Sequence, residues 1–366
     1  MHTQAAVLFK HQNAFSIQNI EVKPPGPDEV LIRIVASGVC HTDMVARDAE
    51  GLVPLPAILG HEGSGVIEAI GLEVADMQVG DHVVLSFVAC DHCENCLIGH
   101  PSVCHDFNDL NFGGYLSDHT SPYRLNGQTL SVFFGQSSFS QYVTTKARNA
   151  VVVDKSVDLT LLGPLGCGIQ TGAGTVLNRL RPKVGEAIVI YGAGAVGLSA
   201  IMAAKISGCH PIIAVDRHAD RLALALSLGA THVINTDCSE GGSEAKAICM
   251  GGAQYAIETT GVPALVKQAL ASIRPLGTVA IVGFTNEVTL NIQQELMGEG
   301  KSLIGVIEGD SIPRLFIPKL VGLFKQGVFP IDRLVKFYPL EKINEAFTDS
   351  MTGAVVKPII RMHAQA

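Results

Sequence analysis

Residues 191–205 read YGAGAVGLSAIMAAK, and the reading of this stretch decides the fold. The run Ala187–Tyr191 before the glycines is apolar and of strand length, and Ala195–Ser207 after them has the length of a helix. Between the two lies Gly192-Ala193-Gly194-Ala195-Val196-Gly197, a GxGxxG. In such a turn the first glycine permits the tight bend, the second lets the backbone approach a pyrophosphate, and the third lets helix and strand pack closely. The helix N-terminus then offers free N–H groups to the anion. The motif alone is weak, because glycine-rich turns are common. Here it follows a strand, opens a helix, and is followed nineteen residues after Gly197 by Asp216. That is the spacing of an acid that binds a ribose 2′-hydroxyl, and a carboxylate there repels a 2′-phosphate. The expected cofactor is therefore NAD, with Arg217 and Arg221 close enough to leave some tolerance for NADP.

Outward from this stretch the alternation continues. Ile212–Val215 precedes a helical 219–228, His232–Asn235 precedes another helical stretch, and Tyr255–Thr259 precedes Pro263–Ser272. Thr278–Val282 and Ser302–Val306 complete the series. Six apolar strands separated by helices predict a doubly wound parallel six-stranded sheet. The chain before about residue 165 differs. Short apolar runs such as Val30–Val35, Ser64–Ile70 and His82–Phe87 are separated by turn signals such as Pro24-Pro25-Gly26-Pro27. This half is β-rich. The tail shows a helical Arg314–Lys325 and a last strand, Val355–Arg361, with too little chain for a core of its own.

Composition narrows the function. At 366 residues two domains are expected, and 47% hydrophobic with 16% charged residues describes an ordinary globular protein. A net charge of −8 argues against a nucleic-acid binder, which needs a basic face. No run of eighteen apolar residues predicts a membrane span, and the N-terminus lacks the pattern of a signal peptide. The expected location is the cytoplasm, where a tight cysteine cluster favours a metal over disulfides. Nine cysteines, an odd number, fit a disulfide framework poorly.

Four of them, Cys90, Cys93, Cys96 and Cys104, follow a C-x2-C-x2-C-x7-C spacing. Four thiolates in one short loop suit a closed tetrahedral zinc site with a structural role. Iron–sulfur clusters also use C-x2-C-x2-C, but with three residues before the fourth cysteine and a proline after it. His92, His100 and His105 read as solvated loop residues. A closed site leaves no place for substrate, so chemistry must lie elsewhere. Gly38-Val39-Cys40-His41-Thr42-Asp43, Gly60-His61-Glu62-Gly63 and Gly166-Cys167-Gly168 together offer two thiolates and an imidazole, the donor set of a zinc with an open fourth position. Spacing alone leaves this suggestive, since lone cysteines are usually buried as small hydrophobes.

Four segments in order, GHEGSGVIEAIG, the four-cysteine loop, GPLGCGIQTGAGT and YGAGAVGLSAIMAAK, resemble the zinc-dependent medium-chain alcohol dehydrogenases over nearly the whole chain. The resemblance implies a GroES-like β-rich catalytic domain from residues 1–168 and 308–366, and a Rossmann NAD-binding domain over 169–307. It implies two zinc ions per chain. Cys40, His61 and Cys167 match the catalytic zinc ligands, Thr42 the hydroxyl that bonds the substrate oxygen, Asp43 the carboxylate that orients a histidine ligand, and Glu62 the acid that can approach the metal. His41 and Lys357 match basic groups near the pyrophosphate, Asp216 and Arg221 the adenosine ribose contacts, and Thr171 and Val196 contacts near the nicotinamide. CHTDMVARD is most similar to the bacterial aryl-alcohol (benzyl alcohol) dehydrogenases, which implies oxidation of a primary aromatic alcohol, with Phe87 in the substrate pocket. S-hydroxymethylglutathione is the alternative substrate, met by the charged Arg47–Glu50 segment, and a non-catalytic relative is the remote one. One position departs from the pattern: Val45 stands where many relatives carry a proton-relaying histidine. A homodimer or homotetramer is expected, acting on a small molecule.

Overall fold

The computed structural model describes residues 1–238 and 240–363. The chain forms two compact units, one built from 1–167 with 312–325 and the described residues from 331 onward, the other from 168–311 with 326–330.

The first unit is β-rich, as its turn-punctuated sequence implies. Its organising strand is Glu29–Gly38, whose burial alternates at its centre and becomes complete towards Gly38. This strand pairs antiparallel with Gly63–Ile70, with Tyr142–Lys146 and with the C-terminal strand Lys357–Arg361. The register Ile359↔Gly38 brings the end of the chain beside the segment that carries Cys40. A second sheet of five strands is ordered Ala57–Ile58, His2–Leu8, Ser16–Val22, Tyr123–Leu125, Gln128–Thr129. Sequence pattern does not announce Ser16–Val22 (SIQNIEV), because only Ile20 and Val22 are buried; its pairing with His2–Leu8 makes it a strand. Together these sheets are the GroES-like part of the fold.

The second unit is a Rossmann-like parallel sheet of six strands. Its order is His232–Asn235, Ile212–Asp216, Ile188–Tyr191, Ala253–Glu258, Ile273–Ile281, Ser302–Gly305, and every neighbouring pair is parallel. Ile188–Tyr191 is buried at all four positions, which is why its sequence runs apolar without alternation. Two helices, Ala219–Leu228 and Pro263–Ser272, fall where the pattern predicts them. Among the described residues no helix is long and apolar enough to cross a membrane.

One ion-pair network in the first unit is centred on a buried lysine. Lys146 is 7% exposed, and its Nζ lies 2.9 Å from Asp28, 3.0 Å from Glu29 and 3.0 Å from Asp118. Burial lowers the lysine, but the three carboxylates outweigh it and hold the ammonium above its ordinary value. Burial likewise pushes the Asp118 carboxyl up, while bonds from Thr120 and Lys146 win and hold it below its usual value. A carboxyl depressed in the folded state contributes stability above its unfolded value and loses it as pH falls through its folded value. Lys146→Met should therefore cost about 2–3 kcal/mol at neutral pH, between the ranges for exposed and buried pairs. In urea titrations that gap should narrow below about pH 4, as the pH falls through the depressed value of Asp118; a gap independent of pH would discount the network.

Candidate active site and metal centres

The glycine turn is shaped by two different constraints. Gly192 has φ +95°, and a Cβ there would meet Thr259 Oγ1 at 2.4 Å. At Gly197 a Cβ would lie 1.8 Å from the Gly192 carbonyl oxygen, so helix and strand could not approach. Gly194 is different: it precedes helix Ala195–Ile206, and a Cβ there would meet nothing within 4 Å. The space beside Gly194 is therefore open, a cradle suited to a group the protein does not itself supply. Val196 sits half-buried in the first turn of that helix. Asp216 ends the neighbouring strand; its Oδ2 accepts from the Ala193 amide at 2.7 Å and its Oδ1 from the His218 amide at 2.8 Å. Burial raises the Asp216 carboxyl, but these bonds and the Arg221 charge prevail and hold it below its usual value. It is thus ionised at neutral pH. His218, whose Nδ1 also lies 2.8 Å from Asp216, is a partner that the sequence does not reveal. Thr171 is buried and bonds Glu308 at 3.4 Å, and Gln170 bonds the same carboxylate oxygen at 3.0 Å.

The four-cysteine loop folds back on itself. Sγ–Sγ distances are 3.9 Å for Cys90–Cys96, 3.5 Å for Cys93–Cys96 and 3.9 Å for Cys93–Cys104. These are far too long for a disulfide. They match the edge of about 3.8 Å expected for a tetrahedron with Zn–S bonds of about 2.3 Å. Backbone amides point at the sulfurs: Cys93 N–H donates to Cys90 Sγ at 3.2 Å and Cys90 N–H to Cys104 Sγ at 3.3 Å. Amides near His105 and Cys96 pull the Cys93 thiol down to about 6. The donor set fits zinc with no open position.

The second cluster gathers residues far apart in sequence. Cys40, His61, Glu62 and Cys167 each offer a ligand atom, and these atoms lie within 4.8 Å of one another. Asp43 ties two of the segments together. Its Oδ2 accepts from the Cys40 amide at 2.9 Å, and its Oδ1 from the Gly60 amide at 3.0 Å and lies 3.1 Å from His61 Nδ1. A carboxylate partner makes Nδ1 the donor, so in the neutral ring Nε2 is the nitrogen with the lone pair. His61 Nε2 is buried and makes no hydrogen bond, which is the state of a ligand atom awaiting a cation. Phe133 and Phe134 hold the imidazole from the sides, with ring centroids at 5.3 and 4.6 Å. Gln136 fixes the backbone, donating to the His61 carbonyl at 3.0 Å. None of these three carries a sequence signal.

Electrostatics prepares the donors. A hydrogen bond with Cys167 pushes the Cys40 thiol well below its ordinary value, and the charges of Lys357 and His61 reinforce this against burial. Burial opposes charge on His61, yet the Asp43 carboxylate raises it well above its ordinary value, so a cation that binds Nε2 must displace a proton there. The donor set of two thiolates and one oriented imidazole fits a zinc ion with room for a further ligand.

Four further expected positions have defined surroundings. Lys357, expected beside a pyrophosphate, is 3% exposed; its Nζ lies 3.0 and 2.8 Å from the two Glu62 oxygens and 3.0 Å from the Val39 carbonyl. The structure places it in the cysteine–histidine cluster, because a fully buried Glu62 needs a counter-charge. Phe87 packs on Phe107 and lines a cavity of about 250 Å3 shared with Arg148, Ile312 and Arg314. Phe107 in turn contacts Phe134, which packs on the His61 ring. His41 is exposed at the start of helix His41–Asp48, and Thr42, half-buried beside it, has Oγ1 3.8 Å from Cys40 Sγ.

Comparison with known proteins places this geometry in context. Residues 26–155 match the alcohol dehydrogenase GroES-like domain, and residues 195–325 match the zinc-binding dehydrogenase domain. The chain is 42% identical to geraniol dehydrogenase from Castellaniella defragrans, over 98% of this chain and 97% of that protein. Among solved structures it superposes on benzyl alcohol dehydrogenase from Acinetobacter calcoaceticus with a TM-score of 0.95 and 45% identity, covering 99% of this chain and 100% of that one. An alcohol dehydrogenase zinc-binding domain protein from Burkholderia ambifaria gives 0.96 and 48%, with 99% of each chain covered.

The Lys357–Glu62 pair makes a direct prediction. Burial already pushes the Glu62 carboxyl up, with Lys357 pulling the other way. Lys357→Met should cost about 3 kcal/mol, since it leaves a buried charge without a partner. A carboxyl raised in the folded state loses stability as pH rises through its folded value, so the cost should be larger at pH 8 than at pH 5. Adding Glu62→Gln should recover most of it; a double variant as weak as the single would mean that the lysine acts through packing alone.

Proposed function

The chain belongs to the zinc-dependent medium-chain alcohol dehydrogenase family, and on that premise we propose that it oxidises primary, benzyl-type alcohols to aldehydes with NAD+ as the hydride acceptor. Alcohol dehydrogenase activity on a small molecule, with zinc and a nicotinamide cofactor, follows from family membership. The observation that carries the site assignment is the unpartnered, buried Nε2 of His61 facing two cysteines and a carboxylate.

Zinc, when bound, supplies a Lewis acid that lowers the pKa of a coordinated oxygen, for water from roughly 15.7 to about 7, and the nicotinamide supplies the hydride acceptor. Cys40, His61 and Cys167 would hold the catalytic ion, and Cys90, Cys93, Cys96 and Cys104 a second, structural one. Asp43 fixes the tautomer and direction of His61. Lys357 holds Glu62 by charge, so that the carboxylate is a reserve donor beside the three ligands. The Thr42 hydroxyl, next but one to Cys40, takes the proton of the substrate hydroxyl at Oγ1 as it gives up its own. Val45, half-buried on the same helix, has no group to carry that proton on, so water receives it. On the cofactor side, the open cradle at Gly194 would receive the pyrophosphate. Asp216, kept ionised by its amide bonds, binds the ribose 2′-hydroxyl with Arg221 beside it and disfavours a 2′-phosphate. Thr171 and Val196 flank the nicotinamide.

Benzyl alcohol and geraniol, named in two relatives, share one chemical feature: the carbinol carbon is attached to an sp2 carbon, so the product aldehyde is conjugated. This supports a pocket that accepts activated primary alcohols. The S-hydroxymethylglutathione alternative loses support from the charged segment invoked for it, since Arg47 and Asp48 pair with each other at 2.7 and 2.8 Å.

Steady-state turnover tests the proposal. Benzyl alcohol should exceed cyclohexylmethanol in kcat/KM by about tenfold or more, the equivalent of roughly 1.4 kcal/mol in the transition state. NAD+ should exceed NADP+ by about a hundredfold, as expected for like charges brought together. Faster turnover of formaldehyde with glutathione than of benzyl alcohol would overturn the substrate class. Separately, Asp43→Asn should lower zinc affinity or turnover by about 10–100-fold, as loss of a ligand-orienting partner does. Retention of both at the wild-type level would remove Asp43 from this role.

A further inference from the structure

The four-cysteine centre raises a kinetic question of its own. A closed tetrahedral site has no open position, and a hydrated ion must exchange its waters for ligands one at a time. The thiols are poorly placed for the first step: Cys90 and Cys104 are buried, and Cys93 and Cys96 only half-exposed. A second donor group overlaps this one. Cys90, His92 and Asp106 also bring one ligand atom each within 4.8 Å of one another, and His92 and Asp106 are exposed.

Each of the two exposed donors is ready to bind. His92 Nδ1 lies 2.8 Å from the Cys90 carbonyl oxygen, which can only accept, so Nδ1 carries the hydrogen and Nε2 is left with its lone pair. That same bond holds the ring beside Cys90. Asp106 precedes helix Phe107–Phe112, and its carboxylate makes no capping hydrogen bond. An oxygen donor suits a hydrated cation, an imidazole and a thiolate suit its partly dehydrated form, and zinc accepts all three. Cys90 belongs to both groups, and its Sγ is 3.9 Å from Cys96 Sγ.

We propose that Cys90, His92 and Asp106 form a transfer site through which a zinc-type divalent cation enters and leaves the four-cysteine centre, an inference that rests on the reading of that centre as a zinc site. The ion lands on His92 and Asp106, gains Cys90, and then exchanges the imidazole and carboxylate for the remaining thiolates. Each thiol releases its proton to solvent as its sulfur binds. Neither His92 nor Asp106 remains a ligand in the final site. Because each step is reversible along the same route, the transfer site speeds exit as much as entry and leaves the affinity unchanged.

The test uses the holoenzyme. Bound zinc is exchanged against an isotopically enriched zinc salt and followed by mass spectrometry, with Cys93→Ser identifying the exchange phase that belongs to this centre. In the double variant His92→Ala, Asp106→Asn that phase should slow about tenfold, the effect of roughly 1.4 kcal/mol on a barrier. Zinc content, denaturation midpoint and the exchange of the other ion should stay at wild-type values, and Asp106→Glu should retain fast exchange. An unchanged exchange rate in the double variant overturns the inference. Loss of zinc from the double variant also overturns it, by making the pair permanent ligands. Wild-type protein with no zinc in the four-cysteine loop would instead overturn the reading of the centre, and the inference with it.

Discussion

The carboxylate of Asp43 is the constraint on which the rest of the site depends. It is fully buried, and a charge there is tolerable only because its oxygens accept from two backbone amides and face an imidazole. Those partners lie in separate segments, one carrying Cys40 and the other Gly60 and His61. Satisfying one buried charge therefore fixes the distance between two metal donors and the direction of the imidazole. The same contact holds Nε2 away from competing bonds. Phe133, Phe134 and Gln136 limit what freedom remains.

Around this clamp the cluster balances charge within a small buried volume. Two thiols, an imidazole, a carboxylate and an ammonium lie together, all buried except the half-exposed Cys40. Lys357 belongs to this balance: it stabilises the lowered Cys40 thiol and is paired to Glu62. The four-cysteine loop solves a different problem. Its donors come from one short segment, and backbone amides donate directly to the Cys90 and Cys104 sulfurs. A saturated site on a loop suits a staple, whereas donors spread over several segments leave a position open for chemistry.

Legibility in the sequence follows from the range of the forces involved. The GxGxxG turn, the spacing to Asp216 and the four-cysteine loop are local: each depends on residues a few positions apart and on backbone geometry that glycine or a short loop dictates. The centre of the parallel sheet is legible for a similar reason, since Ile188–Tyr191 and Ile212–Asp216 are buried at nearly every position and read as continuous apolar runs. Ser16–Val22 is harder to read because its strand character comes from its neighbour. Cys40, His61 and Cys167 could be named by their resemblance to family motifs, but their spacing alone left them as separate lone residues.

By itself the sequence determined the two architectures, the nucleotide-binding turn, the acid that follows it and the closed cysteine loop, because each is encoded in contiguous residues. Only the tertiary structure decided that Lys357 answers the charge of Glu62, 295 residues away in the chain. The physical reason is strand pairing. The register that sets Ile359 against Gly38 carries Lys357 to the Val39 carbonyl and to Glu62, and no local pattern encodes such a register.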